Sequence, residues 1–90
     1  MNNAILIDPA DSVATVLQEL APGEDAVFLR GEETFRVTAL QRIPRYHKIA
    51  VRDTAQGERV VKYEACIGLA TKPIRAGEHV HTHNLSSDGR

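Results

Sequence analysis

The sequence predicts a small, mainly β domain: six to seven short strands with one short helix near the N-terminus. Beyond residue 25, apolar residues alternate with a period of two, the mark of half-buried strands. Turn signals recur along the chain, at Pro22-Gly23, Gly31, Pro44, Gly57, Pro73 and Gly77. A helical period occurs once, within 11–20. The 90 residues suffice for one domain and no more.

The elements follow in order. AILI (4–7) reads as a strand ended by Asp8-Pro9. In DSVATVLQEL (11–20), Val13, Val16, Leu17 and Leu20 fall at i, i+3, i+4 and i+7, one face of a helix. Asp11 or Ser12 would cap it by accepting from the free backbone N–H groups of the first turn, and Pro22-Gly23 would stop it. AVFLR (26–30) and TFRVTAL (34–40) form a hairpin around Gly31, with Phe35, Val37 and Ala39 on one side. RIPRYH contains Pro44 and reads as a loop. KIAVRD (48–53), RVVKY (59–63) and CIGLAT (66–71) are three more strands, with Gly57 in the turn between the first two. EHVHTHNL (78–85) alternates again, and 86–90 read as a frayed tail. No internal repeat stands out.

Composition narrows the function classes. Eleven Lys and Arg against twelve Asp and Glu leave a net charge of −1. That balance gives no basis for binding nucleic acid or an anionic membrane. Two Phe, two Tyr and no Trp offer no stacking platform for bases. No apolar run reaches the length of a membrane span or a signal-peptide core. The single cysteine, Cys66, has no partner in the chain, which suits a reducing compartment and a cytoplasmic protein. Its apolar surroundings predict a buried, inert thiol.

Two clusters carry chemistry. His79, His81 and His83 occupy alternate positions, so on a strand all three point the same way, about 7 Å apart. Imidazoles so spaced can share a metal ion, or form the polar face of a terminal strand. The nearest acid, Glu78, would lie on the opposite face. The second cluster is Arg42, Arg45, His47, Lys48 and Arg52. Such residues bind carboxylates, and they also occur on solvated loops. The two clusters would reinforce each other if His47 and Lys48 met the terminal histidines in space. Ser12, Ser86 and Ser87 have no evident base nearby, and Asp53 and Glu58 read as solvated.

HKIAVRD, then GERVVKY, then IGLAT, then IRAGEHVHTHNL, in this order and spacing, resemble the SAF domain of the altronate and galactarate dehydratase family. DPADSVATVL is similar to that family's opening, so the resemblance runs from about Asp8 to Leu85. It implies an antifreeze-like module with the β-clip fold. It also implies half an enzyme: the small subunit, or the N-terminal part, of a hydro-lyase that dehydrates a sugar acid such as altronate or galactarate. A large catalytic partner subunit would carry a divalent metal, iron by expectation, with no metal or other cofactor on this chain. By the same resemblance, His81 and His83 would be catalytic. His47, Lys48, His79 and Asn84 would bind substrate. The related sulfolactate sulfo-lyases imply an alternative substrate, and other SAF domains imply a binding or assembly module without chemistry. A freestanding metal-binding protein is a further alternative. Exposed strand edges favour a homo-oligomer. Two positions depart from the family pattern: Tyr46 stands where glycine usually precedes HK, and Glu64 where glycine usually follows KY.

Overall fold

A computed structural model describes residues 2–62 and 65–86. They contain nine short strands: β1 (Ala4–Ile5), β2 (Val13–Val16), β3 (Asp25–Arg30), β4 (Glu33–Thr38), β5 (Lys48–Ala50), β6 (Arg59–Lys62), β7 (Ala65–Ala70), β8 (His79–Val80) and β9 (Leu85–Ser86). These form a four-stranded sheet β1-β2-β5-β8, a β3-β4 hairpin and a three-stranded sheet β6-β7-β9. Every strand pairing among the described residues is antiparallel.

The four-stranded sheet lies between two apolar clusters. One holds Ala14, Val16, Ile49 and the hairpin's Ala26 and Phe28. The other holds Val13, Ala50 and Val80 with Val60, Ala70 and Ile74. Successive residues of β2 and β5 therefore enter different clusters, as the alternation of strand side chains requires.

This double burial corrects the helix expected at 11–20. No helix occurs among the described residues, and VATV is strand β2. It pairs with β1 and β5, and Val13, Ala14 and Val16 are all buried. A strand buried on both faces reads as a near-continuous apolar run and loses its period of two. Chance spacing then mimics a helical face. Leu17, which that face would bury, is 40% exposed. Ser12 caps nothing: its Oγ accepts from Arg52 Nη2 and from the Val61 N–H.

A turn recurs four times, at Ala21–Glu24, Pro44–His47, Ala55–Glu58 and Arg75–Glu78. In each copy the fourth residue's N–H donates to the first residue's carbonyl at 3.0 Å. The third residue takes positive φ: 93° at Gly23, 67° at Tyr46, 86° at Gly57 and 96° at Gly77. This is the geometry of a type II turn, which asks for glycine at that place. The third residue's N–H then donates to Ala39, Val16, Ala70 or Ala50 in turn. In three copies the closing glutamate, Glu24, Glu58 or Glu78, accepts the first residue's N–H at 2.6–2.7 Å. The fourth copy starts with Pro44, which has no N–H to offer, and closes with His47.

Two further expectations change. Cys66 is exposed, not buried, and its Sγ lies 3.3 Å from the Gly68 carbonyl oxygen. The β6–β7 register shifts between Val60 and Val61, so Val60 faces Gly68 and Val61 faces Cys66. That irregularity reassigns the faces of an apolar run that carried no alternation of its own. Ser86, placed in the frayed tail, belongs to β9. Residues 87–90 lie outside the described residues, as do Tyr63 and Glu64 of the expected KY–glycine position. No helix of the described residues is long and apolar enough to cross a membrane.

Candidate functional site: a histidine cluster at the edge of the central sheet

The terminal histidines do not lie along one strand. His79 begins β8, Val80 ends it, and residues 81–84 turn before β9. His81 and His83 therefore sit in the turn, where strand alternation no longer applies. They still gather around His79. Its ring centroid is 5.5 Å from that of His81 and 5.3 Å from that of His83.

His47 joins them from the other end of the β5–β8 pairing. Ile49 faces His79 in the ladder, so His47, two residues before Ile49, shares the face of His79. Its ring centroid lies 5.0 Å from His79 and 4.8 Å from His81. Its Nδ1 sits 2.9 Å from His79 Nε2. At that distance one nitrogen must carry the hydrogen and the other the lone pair. The two facing nitrogens share one hydrogen and have no room for a second. The pKa of His79 falls from 6.5 to about 4. Burial is the largest cause, followed by the neighbouring His47, His83, His81 and Arg42. His79 is thus a neutral imidazole at neutral pH.

The backbone around the cluster is tied down. The His79 N–H donates to Gln41 Oε1 at 2.7 Å. Asn84, 3% exposed, accepts the His81 N–H on Oδ1 at 3.0 Å and donates from Nδ2 to the His79 carbonyl at 2.8 Å. Its amide braces the turn that carries the histidines. Gly77 supplies the entry: its carbonyl accepts the Leu40 N–H, and a Cβ there would strike the Thr38 carbonyl oxygen.

The remaining sequence candidates separate. Lys48 pairs in register with Val80, on the face opposite His79. It is half-buried, and its ammonium has no hydrogen-bond partner among the described residues. The basic residues around it do not form one anion site. Arg42 pairs with Glu19 at 2.9 Å, both exposed. Arg45 donates to the Tyr46 hydroxyl at 2.7 Å and lies 4.6 Å from its ring centroid. Arg52 reaches Ser12. Asp53 and Glu58, expected to be merely solvated, accept from the Ala76 and Ala55 N–H groups. Sequence reasoning missed Gln41, which no motif marks, and missed the two hydrogen bonds by which Asn84 holds the histidine turn. The Asn84 signal was its spacing of three from His81, the reach of an asparagine side chain to a turn N–H.

A family model described as the altronate/galactarate dehydratase SAF domain matches residues 2–88. The chain belongs to this family. Altronate dehydratase of Escherichia coli (strain K12) is 41% identical over 84 residues, which cover 93% of this chain and 16% of that protein. Altronate dehydratase of Bacillus subtilis (strain 168) is 32% identical over 88 residues, 98% of this chain and 17% of that protein. The (2R)-sulfolactate sulfo-lyase subunit alpha of Chromohalobacter salexigens is 43% identical over 56 residues, 62% of this chain and 60% of that subunit. The SAF chain thus spans a small fraction of the dehydratases it matches. Its relatives are lyases, and at least one of them is named as a subunit.

Proposed function

We propose that this chain is the SAF subunit of a cytoplasmic carbon–oxygen hydro-lyase that dehydrates a sugar acid such as altronate or galactarate. Alone it is inactive, and a larger, metal-bearing chain completes the site. The observation that carries the reading is the convergence of His47 with His79, His81 and His83 in a chain of this family. Four imidazoles at one sheet edge, two of them exposed, make a surface suited to a polar, multiply hydroxylated acid. The two long hairpins, β3–β4 and β6–β7, support reading the fold as the family's β-clip.

In this proposal the reaction is an elimination. A proton leaves the carbon next to the carboxylate, and the hydroxyl on the following carbon departs as water. The exposed His81 and His83 relay protons, since an imidazole carries both a donor and an acceptor nitrogen. His47 and His79 hold substrate oxygens by hydrogen bonds. Asn84 acts as a positioning residue through its two bonds to the histidine turn. Lys48 offers its unpaired cation from the opposite face, to a carboxylate of the partner chain.

A tagged pull-down from the native cell tests the subunit reading. The expected result is a stoichiometric partner several times longer than this chain. The resulting complex should dehydrate altronate or galactarate and lose that activity in His81→Ala. A second reading has support from the sulfo-lyase subunit alpha. Sulfite released from sulfolactate by the same complex, without sugar-acid dehydration, would favour it. Recovery of this chain alone, or only with itself, would sink both and leave a binding module.

A further inference from the structure

Ring nitrogens of His47, His79 and His81 gather at the edge of the central sheet. One ligand atom from each lies within 4.8 Å of the other two. Zinc–imidazole bonds of about 2.0–2.1 Å put the donors of a tetrahedral site about 3.3 Å apart. The His47–His79 pair, at 2.9 Å, is already close to that spacing. His81 is exposed, so its ring has room to turn toward them.

We propose that His47, His79 and His81 bind one divalent transition-metal ion of the zinc type. This is independent of the functional reading above, which places the metal in the larger chain and gives these rings direct roles toward substrate; with the ion loaded, His47, His79 and His81 act through it and His83 alone keeps a direct role. Three imidazoles leave at least one coordination position for water or an anionic oxygen, the arrangement of catalytic rather than structural zinc. Imidazole nitrogens without thiolates also suit nickel, copper and ferrous iron, and the order of affinities is set by the metal as much as by the site.

Two features make the cluster more than a chance encounter. The ligands come from segments 32 residues apart in sequence, joined by the β5–β8 ladder. Each also has a fixed backbone: His79 through Gln41, His81 through Asn84, and His47 through the turn bond to Pro44. Loading the ion replaces the hydrogen between His47 Nδ1 and His79 Nε2. The ring that carried it moves its proton to its other nitrogen, so that both lone pairs face the metal.

The test uses the full chain, stripped with a chelator and titrated with Zn²⁺ by calorimetry and with Co²⁺ by visible absorbance. We expect one ion per chain with a dissociation constant of about 10 µM or tighter. The cobalt form should show the intense d–d bands of a four- or five-coordinate site. His81→Ala should weaken binding about a hundredfold, as should His47→Gln. His81 is exposed, so its variant keeps the fold, and a thermal melt confirms that independently. Absence of saturable binding below roughly 1 mM overturns the proposal. So does undiminished binding by the His47→Gln, His81→Ala double variant. Binding lost in His83→Ala but kept in His81→Ala overturns the ligand assignment. None of these outcomes depends on finding a partner chain or on lyase activity.

Discussion

Acid should destabilise this domain through His79 before its carboxylates dominate. The folded chain holds the His79 pKa at about 4, against 6.5 for a free imidazole. Above pH 6.5 neither the folded nor the unfolded state is protonated there, and the stability is complete. Between 6.5 and 4 the unfolded chain takes up a proton that the folded chain refuses, so stability falls as pH falls. Below about 4 both states are protonated and the loss stops growing. At ~1.4 kcal/mol per pH unit the full effect would be ~3 kcal/mol. Solvent around a partly exposed ring screens it, and we take ~1.5 kcal/mol. For a domain of this size that corresponds to roughly 6–12 °C in melting temperature. The assay is a series of thermal melts from about pH 7.5 to 4.5, with chelator present, for the wild type and His79→Gln. Glutamine has no titration in this range, so the difference between the two curves isolates His79 from every carboxylate. The wild type should lose the additional 6–12 °C estimated above. Parallel curves would refute the reasoning and mean that the cluster is too solvated to exclude a proton.

Two substitutions test the recurring turn. Gly77→Ala puts a Cβ against the Thr38 carbonyl at a residue with φ of 96°, and should cost ~2–4 kcal/mol in urea denaturation. A loss under ~0.5 kcal/mol would mean that the turn relaxes freely. Tyr46→Gly removes a side chain from φ of 67° and should raise stability by ~0.5 kcal/mol, after glycine's greater unfolded-state freedom is subtracted. Tyr46→Ala is the control. It loses the Arg45 contact but keeps the Cβ, so a gain there equal to that of glycine would rule out backbone strain as the cause.

Much of the fold is legible in the sequence because most strands here have one wetter face. The β3–β4 hairpin lies around Gly31, where the turn residue puts it, whereas 59–62, which reads as the return strand of 48–53 across Gly57, pairs instead with β7. The exception, β2, sits between the two apolar clusters, and there period loses its meaning. The histidine site is only half legible. The run at 79–83 is visible in any reading, but its strand-like alternation misleads, since the chain turns after Val80. The arrival of His47 depends on the β5–β8 register, a non-local fact that no local pattern contains. Lys48 shows the same limit from the other side: one position along the chain puts it on the opposite face.

The recurring turn explains why His47 is available at all. In the other three copies the fourth residue is a glutamate whose carboxylate closes back on the first residue's N–H. A proline in the first position removes that donor, and a carboxylate at 47 would have nothing local to accept from. The side chain at 47 is thereby released from capping and can serve a long-range contact. The turn's own hydrogen bond, from the His47 N–H to the Pro44 carbonyl, remains and fixes the direction in which that side chain leaves. The positive φ before it must also remain, which is why Tyr46 keeps the left-handed conformation although it is not glycine. The pairing of Pro44 with His47 is therefore one device: it keeps the scaffold of a structural turn and frees its closing residue for the site.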